Sequence, residues 1–218
     1  MRTETMPGGK PLLRGHFHQA GFFVALGAGA MLVAQAPGAR ALISAIVYAA
    51  SLATLLGVSA LYHRPTWKPA IRRQLKKLDH SAIFLLIAGT ATPFGLLALD
   101  AARGRQMLLL IWLGAALGIL RAVFWSGAPR WVSAGLYVGL GWASLAYLPA
   151  IAASLAPGWM VPIVAGGLLY TVGAVVYASK RPDPAPTVFG YHEIFHLLVL
   201  LAGICHFVTI CALVRGAA

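Results

Sequence analysis

Residues 192 to 196 read His-Glu-Ile-Phe-His. On a helix this sets two imidazoles one turn apart on the same face, a spacing that lets both bind one metal ion at about 2.0–2.1 Å. A further imidazole, His63, closes the stretch Ser59-Ala60-Leu61-Tyr62-His63, with Ser59 one turn earlier on nearly the same face. An acid stands in Lys76-Lys77-Leu78-Asp79-His80. Each group also has a plainer role. His192 and His196 would serve as helix-packing residues, His63 as an interfacial histidine beside Arg64, and Asp79 as a helix cap or a partner of its neighbouring lysines. Ionisable side chains in apolar segments are expensive, however, and mark function by default. Letter for letter, residues 192–196 also match the zincin pattern His-Glu-x-x-His, in which Glu193 would be the general base of a metalloprotease.

What must position these residues is a membrane bundle. The 218 residues are 60% hydrophobic and 10% charged, whereas soluble domains carry about 25% charged residues. Uncharged apolar stretches lie near 17–36, 41–62, 81–99, 107–124, 132–152, 160–178 and 191–214. Each approaches the roughly 20 residues that cross about 30 Å of hydrocarbon. The breaks carry Pro37-Gly38, Arg64-Pro65, Gly127-Ala128-Pro129, Pro157-Gly158 and Pro182 to Pro186. The 24 glycines suit helices packed closely in lipid. An all-α bundle of seven transmembrane helices follows, with residues 1–16 as an N-terminal segment, 17–214 as the membrane domain and 215–218 as a tail.

With the N-terminus inside, thirteen of the seventeen Lys and Arg residues fall at cytoplasmic ends, leaving Arg40, Arg103, Arg105 and Arg215 outside. The formal charge of +12 is therefore topogenic, and no nucleic-acid partner is expected. The basic N-terminus, first apolar stretch and Ala34-Gln35-Ala36 resemble a cleavable signal peptide, but the stretch is long for one and reads as a span. Cys205 and Cys211 lie on different faces of the last span, which indicates neither a disulfide nor a thiolate site. This topology ends the second span and begins the seventh on the cytoplasmic side, so His63, His192 and His196 share one depth. Three neutral imidazoles plus a water make a zinc site of the catalytic type, and Asp79, at the same level, would hold that water. His206, ten residues past His196, lies about 15 Å deeper and is expected to make an interhelical hydrogen bond instead. His16, His18 and His80 read as interfacial groups.

Ser59-x-x-x-His63, Lys77-Leu78-Asp79-x-Ser81 running into Ile87-x-Gly89-x-x-x-Pro93, and His192-Glu193-Ile194-Phe195-His196 followed by His206-Phe207 together resemble the hemolysin III branch of the progestin and adipoQ receptor family. The resemblance runs from the second span to the last. It implies seven helices, a cytoplasmic N-terminus in a bacterial inner membrane, and Zn2+ held by His63, His192 and His196 with Asp79 reaching it through water. It also implies kinship with alkaline ceramidases, hence hydrolysis of a lipid amide such as a ceramide, releasing fatty acid. Asp79 would then accept the proton and Ser59 would hydrogen-bond near the carbonyl. The alternatives are a sensor or regulator of membrane state with structural zinc, and a cytolytic activity. Few charged or paired polar groups lie in the spans to line an aqueous path, and no Gly-x-Ser-x-Gly or Walker motif is present.

Overall fold

A computed structural model describes residues 10–216. Among them, eight α-helices make seven spans: α1 His16–Ala34, α2 Ala39–His63, α3 Pro69–Pro93, α4 Ala101–Phe124, α5 Arg130–Trp142, α6 Leu148–Ser154, α7 Met160–Ser179 and α8 Tyr191–Arg215. Helices dominate because lipid offers backbone groups no partners, so each span must satisfy its own. The chain is a multi-pass membrane protein.

Local chemistry sets the ends. Pro69 opens α3 at a position where a missing N–H is harmless. Asp100 caps α4 by accepting from the amides of Ala102 and Arg103, both at 3.0 Å. Before α8, Glu193 reaches back to the Gly190 amide at 2.9 Å. After α8, Gly216 turns at φ 69°, a left-handed conformation suited to glycine.

Three spans differ from the expected bounds. Helix α3 begins at Pro69 rather than near 81, because its first turns are helical but basic, and hydropathy sees only the apolar part. Asp79 is therefore mid-helix, and the capping role is ruled out. Helix α4 begins at Ala101 rather than near 107, since the Asp100 cap adds turns that carry Arg103 and Arg105. The fifth span is not continuous: residues Ala143–Tyr147 tighten to a 3-10 turn between α5 and α6, next to Pro149. Beyond Pro93, residues Phe94–Ala98 widen into a π turn, as expected where proline removes a helical donor.

Helices α2, α3 and α8 form the centre. Gly89 of α3 lies so close to Ser51 of α2 that a Cβ there would collide with the hydroxyl. Tyr48 of α2 donates to the Gly203 carbonyl of α8 at 3.3 Å. Large apolar side chains such as Phe23, Leu117 and Val175 face outward, where lipid covers them. Of the expected N-terminal segment and tail, residues 1–9 and 217–218 lie outside the described residues. Residues 10–15 are docked: the amides of Leu12 and Leu13 donate to the carbonyls of Thr187 and Val188.

Candidate metal centre

His63 is the last residue of α2, and His192 and His196 occupy the first turns of α8. The antiparallel approach of these helices brings all three rings together. Centroids are 4.6 Å apart for His63 and His192, 4.9 Å for His63 and His196, and 4.5 Å for His192 and His196. One nitrogen from each lies within 4.8 Å of the others, an arrangement that could hold a metal ion. One pair already has the spacing of two zinc ligands. Two nitrogens bound tetrahedrally at 2.0–2.1 Å lie about 3.3 Å apart, and the Nε2 atoms of His63 and His192 are separated by 3.2 Å. His63 and His196 are buried. His63 thus has no solvated interfacial position beside Arg64.

Asp79 enters from α3. Its Oδ2 is 3.8 Å from His63 Nε2 and 3.7 Å from His80 Nδ1. Among the described residues no lysine or arginine pairs with it, so the pairing with Lys76 or Lys77 is absent. Ser59, buried one turn before His63, turns its hydroxyl toward the same carboxylate. The two cysteines are free and belong to the far part of α8.

Glu193 points elsewhere. Oε1 pairs with Arg14 at 2.5 Å and Oε2 accepts from the Gly190 amide, and the residue is 1% exposed. The glutamate that a zincin needs as its base is here a helix cap and the buried half of an ion pair. Its place in His-Glu-x-x-His comes from standing three residues after the helix start.

One contributor was misassigned by sequence. His18 is not interfacial: it is 3% exposed, with its ring parallel to His196 at 3.9 Å and 1°. Its Nε2 donates to the His196 carbonyl at 3.2 Å, so α1 fixes the backbone and the ring plane of a cluster histidine. The available signal was an ionisable group inside an apolar stretch. His80 is half-buried against Asp79 rather than solvated, and Tyr137 donates to its carbonyl. His16 stays near the surface beside Arg64. His206 makes the expected interhelical bond, from Nε2 to the Ile163 carbonyl of α7 at 3.2 Å.

The segment before α1 closes the same end. Lys10 donates to the carbonyls of His63 and Pro65, and a Cβ on Gly15 would press on the His63 Cβ at 2.9 Å. Burial and nearby Arg72, Arg14 and Arg64 hold the Lys10 ammonium below its ordinary pKa. Arg130 lies over the rings of Tyr177 and Tyr191 and donates to the Tyr191 hydroxyl, next in sequence to His192.

Residues 9–207 match the family model described as Haemolysin-III related. The chain is 34% identical over 165 residues to Hemolysin-3 of Bacillus cereus, covering 74% of this chain and 71% of that one. It is 32% identical to a Hemolysin-3 homolog of Bacillus subtilis, over 73% and 71% of the two chains. A more distant relative is the Adiponectin receptor protein of Drosophila melanogaster, 30% identical over 70% of this chain and 38% of that one. With a family match spanning nine-tenths of its length and relatives that share most of theirs, the chain belongs to the haemolysin-III related family.

Proposed function

We propose that this protein is a zinc-dependent hydrolase of lipid amides or esters, with His63, His192 and His196 as the metal ligands. The observation that carries the proposal is the Asp79 carboxylate, 3.8 Å from His63 Nε2 and, among the described residues, without a lysine or arginine partner. A site that only stapled α2 to α8 would need the three imidazoles and no acid. Zinc, when bound, supplies a Lewis acid that polarises a carbonyl and acidifies a water. Hydrolysis breaks the acyl carbon–nitrogen bond, giving the hydroxyl to the acyl carbon and a proton to the amine. Asp79 Oδ2 is placed to carry that proton between water and leaving group. Ser59 orients the carboxylate, and His18 keeps the His196 ring from rotating. Residues 10–15 cover this end of the bundle, with Lys10 donating to the carbonyls of His63 and Pro65. The substrate class we propose is a ceramide-like amide, with a fatty acid as product, on the strength of the resemblance to alkaline ceramidases.

The placement we propose is the bacterial inner membrane with a cytoplasmic N-terminus, supported by the thirteen basic residues that this orientation puts inside. Reporter tags at the two termini should then report opposite sides. The discriminating experiment incubates purified, zinc-loaded protein with a panel of ceramides and ester lipids and reads released fatty acid. Release that disappears in His192→Ala and Asp79→Asn supports the hydrolase. A protein that cleaves none of these lipids, yet melts lower on chelation, favours the second role. That role is a regulator of membrane state with structural zinc, for which the union of α2 and α8 through the rings is the supporting observation. It also suits the receptor named among the relatives.

A further inference from the structure

The end of the bundle opposite the histidines has its own opening. Where Pro93 gives way to the π turn Phe94–Ala98, α3 widens, and α4 starts against it so tightly that a Cβ on Gly104 would collide with the Gly95 carbonyl. With the backbones in contact, the side chains on either side splay. They leave a groove of 510 Å³ between α2, the π turn and α4, within the range of ligand pockets. Its walls include Leu96, Leu109, Trp112 and Leu113, and two guanidinium groups, Arg40 from α2 and Arg105 from α4, also line it. Trp112 is held by its Nε1 donating to Thr92 Oγ1 at 3.2 Å, so this wall is preformed.

The charges are unanswered. Asp100, the acid nearest in sequence to Arg105, is spent on the Ala102 and Arg103 amides and on the Arg103 side chain at 3.5 Å. Among the described residues neither Arg40 nor Arg105 pairs with a carboxylate. Two exposed arginines from different helices thus line one apolar groove, near the helix ends where lipid headgroups lie. A guanidinium fork matches the two free oxygens of a phosphodiester, and the leucine and tryptophan wall matches an acyl chain.

The geometry points to a binding site for an anionic phospholipid here, with its phosphate between Arg40 and Arg105 and a chain along Leu96, Leu109, Trp112 and Leu113. A zwitterionic lipid would bring its own ammonium against the arginines. The site is separate from the histidines: Leu96 stands seventeen residues beyond Asp79, about 25 Å along α3. It does not depend on the proposed hydrolysis.

Trp112 makes the site measurable. Brominated acyl chains quench indole emission on contact, and the Trp112 signal is the difference between wild type and Trp112→Phe. Wild-type protein in phosphatidylcholine nanodiscs should be quenched by brominated phosphatidylglycerol at a mole fraction at least tenfold below that needed for brominated phosphatidylcholine. Arg40→Gln and Arg105→Gln should each weaken this preference about fivefold, and the double variant should abolish it. Arg40→Lys and Arg105→Lys, which keep the charge and lose the fork, should fall between. Equal quenching of wild type by the two lipids would show ordinary boundary lipid only and would overturn the site without any variant. So would a brominated fatty acid that outcompetes phosphatidylglycerol, or a preference that survives in the double variant.

Discussion

Within the third span 61% of the apolar stretch is buried inside the protein, with 44% in the seventh span and 39% in the second. The fifth span, made of α5 and α6, buries 11% and the sixth 22%. Ser59, His63, Asp79, His192 and His196 all sit on the first group. Lipid cannot satisfy an imidazole or a carboxylate, so such groups persist only where other helices supply partners. The outer spans do another job, offering Val, Leu and Trp to the bilayer, and they tolerate irregular backbone between α5 and α6. A polar site in a membrane is thus restricted to the helices that are least exposed to it.

That contrast is best broken at the rings. His63→Ala, His192→Ala and His196→Ala should each leave the purified protein without zinc, whereas changes on the outer faces of α5 and α7 should leave it fully loaded; elemental analysis decides. Because only the neutral imidazole ligates, zinc affinity should hold at neutral pH and fall on acidification as the three rings protonate. Full metal retention in any one of the three variants would remove that residue from the ligand set.

Next in size is Asp79→Asn, which keeps shape and hydrogen bonding but loses the charge. Turnover should drop about 10²-fold or more while zinc content stays near that of wild type. Parallel loss of zinc would make Asp79 a direct ligand instead.

The ion pair at the edge of the site gives a purely structural effect. Glu193→Gln keeps an acceptor for the Gly190 amide but leaves the half-buried Arg14 without its partner, and should lower unfolding free energy by about 1–3 kcal/mol, read by chemical denaturation in detergent. Zinc content and lipid cleavage at low temperature should survive. If cleavage vanished in the folded, zinc-loaded variant, the base would be Glu193 after all.

The smallest effects come from matched glycines. Gly89→Ala drives a methyl into Ser51 in the inner group and should destabilise by about 1–3 kcal/mol. Gly139→Ala meets nothing within 4 Å in α5 and should be neutral or stabilising by up to about 1 kcal/mol. Equal responses would erase the distinction between inner and outer spans.

Much of this was legible in the letters. Seven apolar stretches and their Pro/Gly breaks gave the spans because hydrocarbon thickness imposes one length on all of them. The pairing of His63 with His192 and His196 followed from counting crossings. What stayed hidden depends on contacts between distant segments. Nothing near His18 in sequence signals that it stacks on a ring 178 residues away. Nothing in the letters of His-Glu-Ile-Phe-His says that Arg14 will claim the glutamate. Helix α3 outran its hydropathy because a basic, amphipathic turn can stay helical past the hydrocarbon.

The long reach of these contacts bears on how the protein is made. Arg14 and Glu193 are 179 residues apart, and His18 and the carbonyl of His196 are 178 apart. As the chain leaves the ribosome, α1 enters the bilayer with His18 lacking the carbonyl and ring that α8 supplies, and Arg14 before it lacks its carboxylate, until the last helix emerges. The His18 imidazole must therefore be accommodated among the early helices through most of synthesis. A product truncated before Tyr191 would leave Arg14 and His18 without the partners that α8 supplies.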